Sequence, residues 1–216
     1  MDYQNLLLIF YIVKVGQTID KVRLLLYNDN GDCYMLYRYS ELLKSNKFNS
    51  DKKIKEALNE NKIFKLDCGF YSEKKDYSEL EFIAKKYNNA IFNSDSAFFY
   101  QGLTDNIPIK YYLSTKKKAR KINNDQIVQT FMEDKYFDIG ISEIYYNNVK
   151  IRIYDKERLL IELVRNKNNI SYDMYKEIIS NYREIVDNLN LLKLQTYLQK
   201  FNNGNKYLKM IQEEVL

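Results

Sequence analysis

Apolar positions in two early segments of the chain recur at the three- and four-residue spacing of helices. Residues 39–46 predict a short helix. Residues 51–61 predict a second helix, because Ile54, Ala57 and Leu58 fall on one face of it. Ser50 stands directly before this helix, where a serine hydroxyl accepts a hydrogen bond from the free backbone N–H groups of the first turn. The second helix is therefore expected to begin with a side-chain cap.

Two short β-prone segments follow this helix pair, at residues 63–67 and 69–73. Cys68-Gly69 stands at the expected turn between them. Two helices followed by a hairpin in so short a segment predict a winged helix-turn-helix DNA-binding domain over residues 35–76. The same pattern also fits a small α/β cap whose lysines face solvent.

If this domain binds DNA, its cations are the groups that would meet phosphate and base edges. Most of them lie on the second helix and on the first strand of the hairpin. Two carboxylates on or beside that helix, Glu56 and Glu60, should weaken the attraction to phosphate. The candidate DNA-binding residues are Lys52, Lys53, Lys55, Asn59, Lys62, Lys65 and Arg38.

Residues 77–216 predict a larger mixed α/β domain with a helical C-terminus. The predicted elements are helices at 77–89 and 93–103, a strand at 107–115, a hairpin at 143–154 with its turn at Asn147-Asn148, and helices over most of 155–216. Asn93 or Ser94 could cap the second of these helices, and Gly102 could end it. Pro108 fits the first residue of the strand, because proline lacks an N–H group and fixes φ. The predicted fold class is α+β.

Composition narrows the chemistry of the chain. There is no histidine, so the commonest general base and a common metal ligand are both missing. The net charge of +5 is a weak indication of an acidic partner. Cys33 and Cys68 form no metal-binding or disulfide pattern, which favours a reducing cytoplasm. No cofactor and no metal are predicted.

The N-terminal segment, residues 1–34, is expected to be an extension of these two domains. Its apolar run from Leu6 to Val13 is too short to span a bilayer, so no membrane association is expected. The codons for Asn30-Gly31-Asp32 could form a ribosome-binding sequence ahead of Met35. Translation is therefore hypothesised to begin naturally at Met35, which the intact mass of the native protein would test.

Two charged segments outside the first domain could bear on function. Five of the six residues from Lys116 to Lys121 are basic, and they could follow a phosphate backbone or form a solvated loop between strands. The candidate basic contacts are Lys116, Lys117, Lys118, Arg120 and Lys121. Glu133-Asp134-Lys135 has the acid-x-lysine spacing of metal-dependent nucleases, a triplet that also arises by chance in a charged chain.

The stretches "SAFFYQGLTDNIP", "GISEIYYNNVKIRIYD" and "DKERLLIELVRNK" resemble, in this order, motifs of the AbiEi antitoxins. The resemblance covers roughly residues 36–216. In that family a helix ends in a G-L-T-D-x-I-P-like stretch before a strand, and a hairpin later leads into a D/P-x-E-R helix. The matching positions are Gly102, Leu103, Thr104, Asp105, Ile107, Pro108, Asp155, Glu157, Arg158, Leu159 and Leu160.

The resemblance implies an autoregulating antitoxin of a type IV toxin–antitoxin pair, linked to abortive phage infection. The family's winged helix binds inverted repeats in its own promoter. Its C-terminal domain, here residues 77–216, supports repression and counteracts a nucleotidyltransferase-like toxin without forming a stable complex. No enzymatic activity is implied.

Two alternative functions stay open at this point. The chain could be a stand-alone winged-helix regulator whose body binds a ligand or partner, or a nuclease acting through Glu133.

Two roles also stay open for Asp105. Its side chain could accept hydrogen bonds from its own turn. It could instead form a charge-assisted pair with Arg158 that ties this turn to the helix beginning near Asp155.

Overall fold

The computed structural model describes residues 36–216, so the predicted extension, its apolar run and the proposed start site lie outside the described residues. The chain divides into two compact units between Lys75 and Asp76. The boundary predicted between the two domains falls one residue later, between 76 and 77. Among the described residues the structure is mixed α/β, with nine α-helices and two sheets.

From residue 36 to its end, the first unit contains two helices and a three-stranded antiparallel sheet. Its elements are β1 (Leu36–Arg38), α1 (Tyr39–Leu43), α2 (Asp51–Asn59), β2 (Phe64–Asp67) and β3 (Phe70–Ser72). The strand order is β1-β3-β2, so β3 lies in the middle. The predicted helices and hairpin are therefore confirmed at these positions, with ends within a few residues of the prediction.

A single apolar cluster holds this unit together. Ile54 and Ala57 face inward from α2, as their spacing predicted, and meet Leu42 of α1 and Tyr71 of β3. Leu42 is fully buried. Burial of these side chains fixes the helix pair against the sheet, because apolar surface removed from water is the main source of stability in so small a unit.

The second unit is built on a five-stranded mixed sheet. The strands are β4 (Ile91–Phe92), β5 (Tyr111–Lys116), β6 (Ile127–Met132), β7 (Ile141–Tyr146) and β8 (Val149–Tyr154). Their order is β6-β5-β4-β8-β7. The outer pairs differ, since β5 and β6 are parallel whereas β7 and β8 are antiparallel.

Seven helices accompany this sheet. They are α3 (Glu79–Lys86), α4 (Ser94–Tyr100), α5 (Asp134–Phe137), α6 (Lys156–Arg165), α7 (Tyr172–Glu184), α8 (Leu191–Leu198) and α9 (Gly204–Glu214). Helix α6 is buried from Glu157 to Val164 on all sides, which is typical of a helix at the centre of a core. Helices α4, α8 and α9 pack against it.

The β7–β8 hairpin confirms the turn predicted from its two asparagines. Asn147 and Asn148 have φ of 45° and 63°. Two successive residues with positive φ form the type I′ turn whose twist matches that of the flanking strands, and asparagine tolerates this conformation better than most residues.

Two local predictions were wrong. Strand β5 begins at Tyr111, so Pro108 lies in the loop before the strand and is not its first residue. The helix predicted from 93 begins at Ser94, but its N-cap residue Asn93 makes no capping hydrogen bond with its side chain.

Strand β4 was not predicted. Its two residues are too few to show any periodicity.

In residues 36–216 no helix combines the length and the apolar character that crossing a bilayer requires.

Substitutions at two glycines of the second unit should lower the stability of the protein by very different amounts. Gly140 has φ of +76°, and a Cβ there would stand 2.4 Å from the Cβ of Arg158. Gly102 has φ of +68°, but a Cβ there would meet nothing within 4 Å. We expect Gly102→Ala to cost about 1–2 kcal/mol from backbone strain alone. Gly140→Ala should cost roughly 2 kcal/mol more, because overpacking adds to that strain.

Urea unfolding of the two variants, followed by circular dichroism, measures this difference. Equal losses of stability in Gly102→Ala and Gly140→Ala would show that Arg158 does not stand against Gly140.

Candidate functional site

Helix α2 presents a polar face of predicted DNA-binding residues. The Ser50 hydroxyl accepts a hydrogen bond from the backbone N–H of Lys53, 3.4 Å away, so the predicted cap is confirmed. Ile54 and Ala57 face the core and Leu58 packs against it, so the polar positions of the helix turn to solvent. The exposed candidates on this helix are Lys52, Lys53, Lys55 and Asn59.

Two of the predicted DNA-binding lysines already form ion pairs with carboxylates. Lys52 lies 3.9 Å from Glu56, and Lys62 lies 2.6 Å from Glu60. The hydrogen bond to Glu60 raises the pKa of Lys62. Such exposed pairs are weak, but they lower the local positive potential. The predicted effect of these two glutamates therefore has a structural basis.

Three other candidate lysines of the first unit have side chains that no described carboxylate pairs with. Lys53 and Lys55 of α2 and Lys65 of β2 are exposed. Within the described part of the chain they have no ion-pair partner. Together they give the helix and hairpin a modest positive surface.

Arg38 has a local role in the first unit. Its guanidinium lies 5.7 Å from the centre of the Phe70 ring. Its backbone N–H donates to Glu41 at 2.9 Å, where β1 passes into α1. Arg38 is partly buried, so it contributes less accessible charge than the exposed lysines.

The basic segment 116–121 forms the connection that leaves β5. Lys116 is the last residue of β5, where it lies 3.2 Å from Asp138 and 5.4 Å from the centre of the Phe137 ring. The predicted contacts Lys117, Lys118, Arg120 and Lys121 are exposed. The amide of Gln129 donates to the Arg120 carbonyl at 3.1 Å, which attaches the loop to β6. The structure thus presents four solvated cations on an anchored loop.

The G-L-T-D-x-I-P stretch begins with a helix ending of the Schellman type. Leu103 N–H donates to the Phe98 carbonyl at 2.8 Å, and Gly102 N–H donates to Phe99 at 2.9 Å. This pair of hydrogen bonds requires a residue with a left-handed backbone conformation, which Gly102 adopts with its positive φ. Leu103 and Phe98 are both buried, as the apolar contact of this motif requires.

The polar part of this stretch is held by a residue far along the chain. Glu177 of α7 accepts hydrogen bonds from the Thr104 hydroxyl at 2.7 Å and from the Asp105 backbone N–H at 3.0 Å. It also accepts from the Asn106 side chain at 2.9 Å. Sequence reasoning missed Glu177, because nothing near the loop indicates a partner more than seventy residues away.

The end of the stretch is displayed to solvent. Ile107 and Ile109 are 77% and 93% exposed, on either side of Pro108. The motif therefore has a buried half, from Leu103 to Thr104, and an exposed half around the proline.

Of the two roles left open for Asp105, the charge-assisted pair with Arg158 is not formed. Arg158 is fully buried, and its guanidinium is 2.8–2.9 Å from Glu162. It also donates to the carbonyls of Tyr136 and Ile139, at 2.6 and 3.0 Å. Asp105 is exposed. The turn is held instead by hydrogen bonds to Glu177, and the charge of Arg158 is paired with Glu162.

Aromatic rings complete the surroundings of Arg158. Its guanidinium carbon lies 4.7 Å from the ring centre of Tyr154 and 4.8 Å from that of Phe201. Tyr136 stacks on Phe201 with ring centres 4.7 Å apart. Arg165 lies over Phe201 and shares Glu162 with Arg158. A buried charge is tolerated only with such complete pairing.

The two acidic positions of the D-x-E-R motif also stabilise the fold. Asp155 caps α6 by accepting from Arg158 N–H at 2.8 Å, and it accepts from the Tyr197 hydroxyl at 3.0 Å. Glu157 accepts from Asn190 N–H at 2.9 Å, just before α8. Lys193 lies 3.0 Å from Asp155 and 3.5 Å from Glu157. These motif residues therefore connect α6 to α8.

The possible nuclease triplet shows a local ion pair. Glu133 and Lys135 are exposed and lie 3.3 Å from each other. No group of three or more cysteine, aspartate or glutamate side chains in residues 36–216 is arranged to hold a metal ion.

A scan against models of known protein families matches none of them, and a search among curated proteins finds no significant match.

Replacing Arg158 should cost the second unit much of its stability. We expect Arg158→Met to lower the free energy of unfolding by about 3–5 kcal/mol, because Glu162 loses its main partner while it stays buried. With Glu162→Gln, the double variant should be less destabilised than the sum of the single variants by about 1 kcal/mol or more. Urea unfolding of the four proteins measures this coupling.

Lys209 and Glu213 on α9 provide the control. They have the same four-residue spacing at 3.8 Å but are exposed, so Lys209→Met and Glu213→Gln should be additive within about 0.5 kcal/mol. Additive effects at Arg158 and Glu162 as well would contradict the buried pair.

Proposed function

We propose that this protein is a DNA-binding antitoxin of the type IV class, which represses its own operon and counteracts a nucleotidyltransferase-like toxin. The first unit is the proposed winged helix-turn-helix. The observation that carries this proposal is the solvated lysine face of α2, capped at Ser50 and followed by the β2–β3 hairpin. The family resemblance of the motif stretches in the second unit supports the antitoxin role.

In the proposed mode, α2 enters the major groove and the β2–β3 hairpin acts as the wing. A helix of this kind places exposed side chains against base edges, while flanking cations meet phosphates. Lys53 and Lys55 are the cations that α2 can offer without breaking an ion pair. On the proposed wing, Lys65 of β2 is the cation that can contact DNA without breaking an ion pair.

The small number of unpaired lysines limits the electrostatic part of binding. Each phosphate neutralised contributes about 0.9 to the slope of log K against log salt. A single copy therefore binds DNA weakly at physiological salt in this proposal. Two copies on an inverted repeat would double the number of neutralised phosphates, which fits promoter DNA of that symmetry as the partner.

The second unit is proposed to support repression and to neutralise the toxin. Its basic loop, Lys117 to Lys121, offers further phosphate contacts. Arg158 and Glu157 are buried, so they serve neutralisation only by maintaining the fold. Co-expression with the toxin reading frame expected directly downstream tests this role: the full chain should restore growth, and continued growth arrest would overturn it.

A stand-alone regulator whose body binds a ligand is the second candidate function. The observation that favours it is a cleft in the second unit lined in part by Asn93, whose buried amide oxygen is unpaired. Absence of a toxin gene beside the native locus, together with promoter binding, would favour this candidate over the antitoxin.

Removing the two unpaired lysines of α2 should weaken DNA binding in a salt-dependent way. We expect the double change Lys53→Ala with Lys55→Ala to reduce the salt slope by about two units, one for each phosphate that is no longer neutralised. Fluorescence anisotropy with promoter DNA at several salt concentrations measures the slope. Lys206→Ala with Lys209→Ala, on exposed positions of α9, is the control; equal slopes in the two double variants would remove α2 from the interface.

Removing a carboxylate from α2 should have the opposite effect. Glu56→Gln releases Lys52 and removes a negative charge from the face proposed to meet DNA. We expect tighter binding and a salt slope steeper by up to about one unit. Glu213→Gln, which breaks the exposed pair on α9, is the matched control. Binding weakened or unchanged by Glu56→Gln would contradict this orientation of α2.

A further inference from the structure

A cleft of about 600 Å³ opens in the second unit beside the start of α4. Its volume is within the range of sites that hold small ligands. Asn93, Ser94 and Asp95 contribute one part of its lining, and Phe131, Met132 and Met174 contribute apolar surface. It therefore combines polar groups with an apolar surface, as ligand sites do.

Asn93 is the most unusual residue of this cleft. It is 6% exposed, and its Oδ1 has no hydrogen-bond partner among the described residues. An asparagine at an N-cap ordinarily gives this oxygen to the backbone of the first helical turn. Here the side chain turns away from the helix and donates from Nδ2 to Ser114 at 2.9 Å. A buried acceptor without a donor is unfavourable, and it indicates a site that a donor can complete.

Ser114, which is fully buried, accepts this bond from Asn93 Nδ2. The NH₂ group of Asn93 therefore faces Ser114, and its oxygen is the unpaired atom.

Ser94, the next residue, has φ of +48°. The other residues besides glycine with positive φ in the described chain are asparagines, which tolerate this conformation. A serine there is strained, and strain of this kind collects at binding sites. The backbone thus holds Asn93 and Asp95 in place at some energetic cost.

Asp95 supplies the charge of the cleft. Two other carboxylates that line it are already neutralised, Glu162 by Arg158 and Arg165, and Glu133 by Lys135. Asp95 has no ion-pair partner in residues 36–216, and its neighbours are the Ser94 hydroxyl and Tyr112. Among the described residues, Asn93 Oδ1 is thus an acceptor without a donor, and Asp95 is a carboxylate without a paired cation.

We propose that this cleft binds a small ligand with an amino or ammonium group attached to an apolar body. The nitrogen would donate to Asn93 and Asp95, and the apolar body would lie on Phe131, Met132 and Met174. Opposite charge and complementary hydrogen bonding make such a ligand fit better than an anion of the same shape. The inference rests on the cleft alone and holds whether or not the first unit binds DNA.

Phenethylammonium is a suitable probe, with 3-phenylpropanoate and 2-phenylethanol as an anionic and a neutral control of similar shape. Methyl resonances of the full chain labelled at methionine report the site, because Met132 and Met174 line the cleft and Met210 does not. We expect saturable shifts of Met132 and Met174 with a dissociation constant on the order of 1 mM, and no shift of Met210. The two controls should bind at least about tenfold more weakly.

The Asp95→Asn variant distinguishes recognition of the ammonium group from binding through the apolar body alone. We expect it to weaken phenethylammonium binding by about tenfold or more. Asp187→Asn, which makes the same change at an exposed position outside the cleft, should have no effect. The proposal is overturned by any of three results: no shift at saturating probe, equal binding of the anion, or unchanged binding in Asp95→Asn.

Discussion

The second unit depends on one buried cation. Arg158 has no exposed surface, and the elements around it are arranged to satisfy it. Glu162 balances its charge, the carbonyls of Tyr136 and Ile139 accept its N–H groups, and Tyr154 and Phe201 lie against its plane. Because an unpaired charge in a protein interior is so unfavourable, these partners are held in one arrangement.

This constraint extends to parts of the chain that are distant in sequence. The carbonyls come from α5 and the residues after it, Tyr154 ends β8, and Phe201 precedes α9. Gly140 has no side chain where the Arg158 stem passes. The D-x-E-R motif thus acts as a structural junction of the second unit, and the surfaces available to partners are elsewhere, on the basic loop, the exposed Ile107–Ile109 segment and the Asn93 cleft.

The features that could be predicted from the sequence are those with local causes. Helix α2 and its Ser50 cap follow from side-chain spacing and one hydroxyl, and the β7–β8 turn follows from two adjacent asparagines. Glu162 lies one helical turn from Arg158, but the carbonyl partners of Arg158 and the Glu177 contacts with Thr104 join segments far apart in the chain. No local pattern contains these distant contacts. The Asn93 cleft was missed for a similar reason: its asparagine occupies an ordinary cap position, and only the distant Ser114 explains why it does not cap.

The described elements of the first unit follow the order expected of a DNA-reading module, but the paired glutamates leave it few cations for phosphate contacts. Specific recognition of a symmetric site, more than charge, must then supply the affinity of the proposed repressor. The most direct test is anisotropy of the full chain at physiological salt with two duplexes of equal length, one carrying the inverted repeat of its own promoter and one a scrambled sequence. The account predicts tighter binding to the promoter duplex by about a thousandfold or more; equal affinity for the two duplexes, or binding to neither, would contradict it.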